Sequence, residues 1–418
     1  MAARATRATR GSRTLAYAAS CYAIASVSFA PAIHANFLSA LSRDFRLDMA
    51  GSSLYLSLNF WGALASIVVA GPLAGRLGSR AVLTAAWLLE LVAVTAIGVA
   101  PLPLVAYVGV LLASLGFGAI SVLVPHMVSG LYPESRNRVM SLLVSFYTLG
   151  AVASNLLVLL LFSVGASWRI GYLAASAMAL PWGIMMLASR GSADGKMSVV
   201  ELSAMEPAAV GRSASQDPTL GSRSTRWAVG LFALLCIAQL AASAAEVSTS
   251  MWIPTFLTRE AGAPPAFGPV SLLLFCVMGA VGKLANAAAI GRVKPGLLIG
   301  AGLALFVGGL MLAVLSTSPA AALAGFCMVG LGTGGFVPTV TVRLAERFPR
   351  ASASRYSIFM AVANLGPIGG PVLLGMAAGG DLRRGMLTML PAAALACLLL
   401  LLMPRRVRAP TVPSPTPR

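Results

Sequence analysis

Long apolar stretches separated by short polar segments dominate the chain. Ten stretches of about 20 residues or more carry no charged side chain, and two others carry a single acid each. A helix rises about 1.5 Å per residue, so each stretch can cross the roughly 30 Å of hydrocarbon in a bilayer. Lipid offers no partner for backbone N–H and C=O groups, and the strand-like alternation that a barrel needs is missing from the sequence. The pattern therefore predicts an all-α membrane protein.

The apolar stretches predict twelve transmembrane helices in two six-helix bundles. A polar segment, 190–226, interrupts the pattern after the sixth span and predicts a cytoplasmic linker between an N-terminal bundle, 14–189, and a C-terminal bundle, 227–403. Residues 1–13 and 404–418 are predicted to be a cytoplasmic N-terminal segment and tail. The predicted spans are 14–40, 51–74, 81–100, 103–131, 139–164, 170–189, 227–255, 268–290, 296–316, 318–342, 355–378 and 385–403.

Composition supports a lipid-embedded protein. Hydrophobic residues make up 58% of the chain and charged residues only 10%, and the mean hydropathy is +0.86. A water-soluble globule of 418 residues would need more polar surface than this. The net charge of +18 comes from basic residues in short clusters between apolar runs. Such clusters do not form the contiguous patch that binds nucleic acid, so we expect no nucleic-acid partner.

The basic residues predict the topology. With a cytoplasmic N-terminus, the 30 Lys and Arg residues divide into 23 cytoplasmic, six external and one within a span. This bias follows the positive-inside rule and places both termini in the cytoplasm, in a multi-pass protein of the inner or plasma membrane. The Arg-rich start also resembles a secretory signal peptide. An even helix count and the repeat described next both require it as the first span.

The two halves share an internal repeat. An offset of 216 residues aligns several features without gaps. The aligned pairs are Gly75-Arg76 with Gly291-Arg292, Leu115-Gly116 with Leu331-Gly332, Gly118 with Gly334, Tyr132-Pro133 with Phe348-Pro349, Ser141 with Ser357, and Leu149-Gly150 with Leu365-Gly366. Two repeated six-helix halves form a cavity between them near the midplane, and rocking of one half against the other exposes it to alternate sides. No G-x-x-x-x-G-K-[ST] motif occurs, so the expected energy source is a gradient or the solute itself.

The corner after the second span, residues 71–80, reads Gly-Pro-Leu-Ala-Gly-Arg-Leu-Gly-Ser-Arg. It resembles the loop signature of the major facilitator superfamily, whose layout of twelve spans, central loop and cytoplasmic termini also agrees. The resemblance implies the fold of that superfamily, a transport function and a conformational gate. At the first corner the gate residues are Gly71, Arg76, Gly78 and Arg80; at the degenerate second corner they are Gly291 and Arg292. The chain has Gly75 where the family usually has Asp. It therefore lacks one charge that in relatives helps to hold one conformation.

Two further resemblances concern the transported solute. Residues 366–370, Gly-Pro-Ile-Gly-Gly, look like an element that drug antiporters carry in their fifth helix, but here the element is in the eleventh span. The fifth span, with Leu149-Gly150 and Asn155, does not contain it, which disfavours a multidrug antiporter. Residues 245–254 of the seventh span are similar to the same helix of fucose-type sugar and proton symporters.

Ionisable side chains in hydrocarbon cost several kcal/mol unless they are paired or hydrated, so each is a functional candidate. Lys283 is nine residues before Arg292, roughly 13 Å inside the inner boundary. It is a candidate for binding an anionic solute, with Asn286 on the same face. Glu246 is 20 residues after Arg226, about 30 Å along a straight helix and so in the outer part of the bilayer, where it could carry a coupling proton. For Lys283 the alternatives are a structural pair with an acid or a side chain that snorkels to the interface, and for Glu246 the alternative is a hydrogen bond at an external gate.

Further candidates are His34, Glu90 and neutral polar residues. His34 in the first span could form a proton-linked pair with Glu246 or be a structural histidine. Glu90, near mid-depth in the third span, could pair with Lys283 or with a helix hydroxyl. Asn59 and Asn155, like Gln239 and Asn364, could bind solute hydroxyls or join helices.

These observations leave three functions open. The first is a secondary transporter that takes up a small polar or anionic metabolite together with protons. The second is an exporter of a drug or of a secreted metabolite such as a siderophore. The third is a receptor or scaffold that moves no solute. An enzyme is not expected, because His34 and His126 are predicted at opposite ends of the bilayer and form no catalytic cluster. We expect a monomer in the lipid bilayer, with a small-molecule substrate, protons as partners, and no metal or cofactor.

Overall fold

The computed structural model describes residues 17–131, 136–188, 222–289, 292–347 and 353–402. Twelve helices, α1 to α12, follow one another along these ranges, and α1 is interrupted by a turn at Ser28. Their bounds are α1 Tyr17–Asp44, α2 Met49–Leu77, α3 Ser79–Gly98, α4 Pro103–Leu131, α5 Arg136–Ser163, α6 Trp168–Ala188, α7 Ser222–Arg259, α8 Phe267–Ala289, α9 Pro295–Leu315, α10 Pro319–Arg347, α11 Ala353–Ala378 and α12 Leu382–Leu402.

The helices agree with the predicted spans. Within the described ranges, ten helices are long and apolar enough to cross a membrane, and Pro319–Gly334 in α10 forms a shorter apolar segment. Helix α6 has 21 residues and is therefore about 31 Å long. Most of the predicted linker and both predicted terminal segments lie outside the described residues, but α7 begins at Ser222, so the end of the linker is helical.

Each half packs mainly on itself, and a few helices join the halves. In the first half α4 packs between α2 and α3, and in the second half α10 packs between α8 and α9. The halves meet where α2 packs on α11, α1 on α7 and α5 on α8. Below, "inner" denotes the side that the charge bias predicts to be cytoplasmic, and "outer" the side of the α1–α2 connection.

The halves are in close contact near the outer side. Ser57 Oγ on α2 donates a hydrogen bond to the carbonyl oxygen of Ile368 on α11, at 2.6 Å. One turn nearer the outer end, a Cβ at Gly375 would lie 1.5 Å from Ser53 Oγ, so only glycine allows this approach. These contacts close the outer end of the α2–α11 interface.

Hydrogen bonds at the outer end tie together the helices of the first half. Trp168 Nε1 at the start of α6 donates to Asp44 Oδ2 at the end of α1, at 2.6 Å. The next residue, Arg169, donates through Nη1 to the carbonyl oxygens of Ala100, at 2.7 Å, and Gly98, at 3.5 Å, where α3 ends. We call these contacts the first outer clasp.

A second outer clasp ties together the same positions of the second half. The backbone N–H of Leu382, at the start of α12, donates to Glu260 Oε1 just after α7, at 3.2 Å. Arg383 Nε lies 3.8 Å from Glu260 Oε2, and its Nη2 donates to the Glu260 carbonyl oxygen at 3.1 Å. Arg383 Nη1 also donates to the carbonyl oxygen of Val314, where α9 ends.

The two outer clasps occupy equivalent places in the two halves. Asp44 and Glu260 are 216 residues apart, as are Gly98 and Val314, and the two arginines are 214 apart. In both clasps an acid at the end of the first helix holds the start of the sixth, whose arginine reaches the end of the third. The offset of the predicted repeat thus recurs in matching contacts.

Candidate functional site

An ion pair joins α7 and α8, the first two helices of the second half. Lys283 Nζ lies 3.7 Å from Glu246 Oε1. The side chain of Lys283 is 51% exposed and that of Glu246 is 20% exposed. The ammonium group of Lys283 is therefore not covered by the surrounding protein side chains.

The structure corrects the predicted depth of Glu246. The sequence placed Glu246 in the outer part of the bilayer, above Lys283, by counting from Arg226 as if it marked the inner boundary. Helix α7 has 38 residues and is about 57 Å long, far more than the hydrocarbon thickness. Its first turns therefore extend beyond the hydrocarbon, and Glu246 lies level with Lys283.

The neighbours of Lys283 on α8 differ in exposure. Asn286, one turn toward the inner end, is buried and has a partner. Cys276 lies two helical turns toward the outer end and is exposed. A thiol on the same helix as the ion pair gives a natural chemical probe of access to this region.

His34 belongs to a buried triad with two tyrosines in the first half. Its Nδ1 lies 3.0 Å from the hydroxyl of Tyr55 on α2 and 2.9 Å from that of Tyr172 on α6, and the two hydroxyls are 2.8 Å apart. The imidazole is 1% exposed, and within the described residues its Nε2 has no hydrogen-bond partner. The structure pairs His34 with tyrosines, not with Glu246, and the side chain of His126 lies outside the described part.

Glu90 also lies within the first half. It is 6% exposed and lines a small cavity with residues of α1 and α6. Since Lys283 pairs with Glu246 on the other half, it is not the partner of Glu90. This acid is therefore separate from the ion pair.

Two asparagine candidates of the first half, Asn155 and Asn59, are buried. Asn155 Oδ1 on α5 accepts a hydrogen bond from Nδ2 of Asn36 on α1, at 3.0 Å, and Asn155 Nδ2 donates to the carbonyl oxygen of Ala151 at 2.9 Å. Asn155 thus joins two helices of the first half. Asn59 on α2 is 7% exposed.

Five of the six residues that were predicted to form a gate are described, and they lie near the α2–α3 and α8–α9 connections. Gly78 ends α2 with φ of +87°, a conformation that favours glycine. Arg80 Nη2 donates to the carbonyl oxygen of Met186 at 3.2 Å, which ties α3 to α6. Gly71 is buried and Arg76 is exposed. At the second corner, Arg292 Nη1 donates to the carbonyl oxygen of Ala288 at 2.6 Å, and Gly291 lies outside the described residues.

Sequence reasoning missed the tyrosine partners of His34 and all the residues of the outer clasps. The tyrosines stand in apolar spans and could have been singled out as polar groups that need partners. The acids of the clasps are exactly one repeat offset apart, a match that the sequence already contained.

The comparison with protein families decides the classification. The sequence profile of the Major Facilitator Superfamily matches residues 15–354 and 274–418, which together cover nearly the whole chain. The chain belongs to the major facilitator superfamily. No curated protein matches the sequence.

Solved structures support the same fold. A D-xylose-proton symporter is similar with a TM-score of 0.73 and 14% identity, over 93% of this chain and 96% of that one. The nucleoside transporter NupG is similar with a TM-score of 0.69 and 15% identity, over 93% of this chain and 98% of that one. A third similar structure is a bacterial homolog of the human lysosomal transporter Spinster in an inward-facing and unoccupied conformation. Its TM-score is 0.70 at 14% identity, over 93% of this chain and 97% of that one. At these identities the likeness shows the fold alone. Together with membership of this transporter family, it supports secondary transport.

Proposed function

We propose that this member of the superfamily takes up a small polar or anionic metabolite together with a proton, and that Lys283 and Glu246 are the binding and coupling residues. The ion pair between α7 and α8 is the observation that supports the proposal. A freed ammonium binds an anionic group, and a carboxylate that loses its partner binds a proton. The ion pair would thus provide binding sites for both the anionic solute and the coupled proton.

Charge balance within the pair favours a monoanion as the solute. In the empty carrier, the carboxylate of Glu246 neutralises the ammonium of Lys283, so the site has no net charge. When a proton binds Glu246 and a monoanion binds Lys283, the net charge is again zero. Either ligand alone leaves one unbalanced charge, which is costly at low dielectric. The empty and the doubly loaded carrier are therefore the two states that can change conformation.

This scheme makes uptake electroneutral. One proton and one monoanion cross together, so a pH gradient drives uptake and a membrane potential does not. The charge bias of 23 cytoplasmic against six external basic residues supports cytoplasmic termini. A proton gradient directed inward across the inner or plasma membrane would then drive accumulation.

The test first identifies a solute that binds and then measures its transport. A thermal-shift screen of small monocarboxylates, sugars and hydroxamate chelators on the purified protein selects the compound. Its uptake into proteoliposomes is then measured with an imposed pH gradient or an imposed potassium diffusion potential. We expect a monocarboxylate, driven by the pH gradient alone.

Two variants separate binding from coupling. Glu246→Gln keeps a neutral site with the anion bound but leaves the empty carrier with one positive charge, so exchange of internal for external solute persists while net uptake is lost. Lys283→Ala should lose both exchange and net uptake. Lys294→Ala, on the α8–α9 connection, is the control and should keep both activities. A sugar that stabilises Lys283→Ala as well as the parent protein would refute the proposal, and transport driven outward would indicate an exporter.

A further inference from the structure

The cavity beside Glu90 is lined by helices of one half of the molecule. Its lining comes from α1, α3 and α6, namely Ser26, Phe29, Ala30, Glu90, Leu91, Val94, Ala175, Ser176 and Ala179. Its three polar side chains, those of Glu90, Ser26 and Ser176, belong to residues that are each at least nine-tenths buried. The space is about the size of one water molecule. On the α4 side, Gly116 approaches so closely that a Cβ there would lie 2.8 Å from Glu90 Cβ. Glu90 is the one charged or titratable side chain in this lining.

The hydroxyl of Ser176 has no proton left to give to the cavity. Ser176 Oγ lies 2.6 Å from Thr95 Oγ1, and both oxygens can donate to the carbonyl oxygen of Leu91, at 3.4 Å and 2.7 Å. If Thr95 donates to Leu91, Ser176 donates to Thr95; if Ser176 donates to Leu91, Thr95 donates to Ser176. In either arrangement both hydroxyl protons are used within this group, and the remaining lone pair of Ser176 can only accept.

The hydroxyl of Ser26 is in the same position. Its Oγ donates to the carbonyl oxygen of Ala23 at 2.9 Å, which uses its one proton. An ionised carboxylate is also an acceptor without a donor. With Glu90 ionised, every polar group lining the cavity would be an acceptor, next to a buried negative charge that nothing in the lining balances.

One proton and one water satisfy all these groups. A protonated Glu90 offers one O–H donor and keeps its carbonyl oxygen as an acceptor, and a water offers two donors. These three donors can pair with the three protein acceptors, which are Ser26 Oγ, Ser176 Oγ and the carbonyl oxygen of Glu90, and the oxygen of the water is then a fourth acceptor without a donor. We propose that Glu90, Ser26 and Ser176 form a buried site for one water molecule, in which Glu90 is held as the protonated acid.

The position of this site distinguishes its proton from a coupling proton. The walls belong to α1, α3 and α6 of the first half, whereas Glu246 is paired with Lys283 on two helices of the second half. Rocking of the halves changes access to the interface between them and leaves the walls of this cavity together. Glu90 therefore keeps its proton while Glu246 exchanges one.

Infrared difference spectroscopy of the purified protein tests the assignment at neutral pH. The spectrum of the parent protein minus that of Glu90→Gln should contain the carbonyl band of one protonated carboxylic acid. The corresponding difference for Glu246→Gln, with its acid paired to Lys283, should contain a carboxylate band instead. Loss of a carboxylate band in Glu90→Gln would overturn the proposal.

Two further measurements keep the assignment testable if Glu90→Gln does not fold. In Ser26→Ala and Ser176→Ala the band of the protonated acid should move to the frequency of a more weakly bonded carbonyl, because the water loses a partner. A band that does not move in either variant contradicts the site. Exchange of sodium for choline should leave the melting temperature unchanged; stabilisation by sodium that Ser26→Ala abolishes would show a bound metal cation instead of a proton.

Discussion

Ser39 on α1 and Thr258 on α7 meet across the two halves at the outer side, with their hydroxyl oxygens 3.4 Å apart. Together with the Ser57–Ile368 hydrogen bond between α2 and α11, this contact shows an outer side that is closed between two pairs of helices. A solute that passes between α1 and α7 must break the first contact, and one that passes between α2 and α11 must break the second. The outer contacts are therefore the place to test alternating access directly.

A disulfide between α1 and α7 should lock the carrier. Cysteines in Ser39→Cys/Thr258→Cys stand where oxygens already touch, so a small shift allows an S–S bond. Oxidation should abolish transport and reduction should restore it, as measured by uptake into proteoliposomes. Each single cysteine variant serves as the control. Full transport by the oxidised, crosslinked protein, with the link verified by mass spectrometry, would show that α1 and α7 need not separate here.

A larger residue at position 375 should prevent outer closure. Gly375→Val places a Cβ 1.5 Å from Ser53 Oγ, 2.7 Å from Ser53 Cβ and 3.0 Å from the carbonyl oxygen of Met49. Rotation of the serine hydroxyl relieves the first of these contacts but not the other two, so α2 and α11 must move apart. We expect transport to fall at least about tenfold, since each 1.4 kcal/mol of lost closure energy is a factor of ten. A thiol reagent should label Ser57→Cys faster in this variant than in the parent background. Gly379→Val is a poor control because Gly379 has a positive φ; Gly369→Val, where a Cβ meets no atom within 4 Å, is the matched one.

Neutralising both members of the ion pair should be milder for stability than neutralising one. Lys283→Met leaves the carboxylate of Glu246 without its partner, whereas Glu246→Gln/Lys283→Met leaves no charge. Burying an unpaired charge costs more than replacing a whole pair by neutral groups. Thermal unfolding of the two single variants and the double variant measures the difference. A double variant less stable than both single ones would contradict an energetic coupling between Glu246 and Lys283.

Removal of one hydroxyl from the triad should weaken the first half. Tyr172→Phe removes a buried partner of both His34 and Tyr55, which should cost about 1–3 kcal/mol. Tyr107→Phe is the control, because within the part of the chain that the structure describes the Tyr107 hydroxyl forms no hydrogen bond. Chemical or thermal unfolding gives both values. Equal losses in the two variants would mean that the triad contributes packing only.

Substitution of the two adjacent arginines at the start of α12 should lower the free energy of unfolding by very different amounts. Arg383 holds Glu260 and Val314 and is 27% exposed, whereas Arg384 is 80% exposed and, among the residues that the structure describes, pairs with Asp381 one turn away. Arg383→Ala should cost about 1.5–3 kcal/mol, as charged hydrogen bonds do. Arg384→Ala should cost under about 0.5 kcal/mol. Unfolding that is equally sensitive to both would refute the second outer clasp.

The fold was readable from the sequence because the bilayer restricts what a chain can form. An apolar run of about 20 residues must be helical in lipid, and the spacing of such runs gave all twelve helices. Helix ends were less exact, since apolarity marks where hydrocarbon ends and not where hydrogen bonding ends. The extra turns of α7 moved Glu246 from the outer part of the bilayer to the level of Lys283 for this reason.

Pairings among the candidates were not readable, because they depend on which helix faces meet. His34 and Glu246 share a chemistry that suits proton transfer, yet His34 faces Tyr55 and Tyr172 within its own half. The sequence left the acid partner of Lys283 open and named Glu90 as a candidate, whereas the packing of α7 against α8 pairs Lys283 with Glu246. A one-dimensional pattern gives the depth of a residue along a helix but not its direction.

The first outer clasp uses only residues between Asp44 and Arg169. The ribosome therefore finishes every part of it before α7 is made. Domains generally fold as units with the N-terminal one first, and this clasp gives the leading half its own means of completion. In a nascent chain that stalls after α6, the first outer clasp could already join α1 to α6. The second half would then insert beside a first half that has already folded.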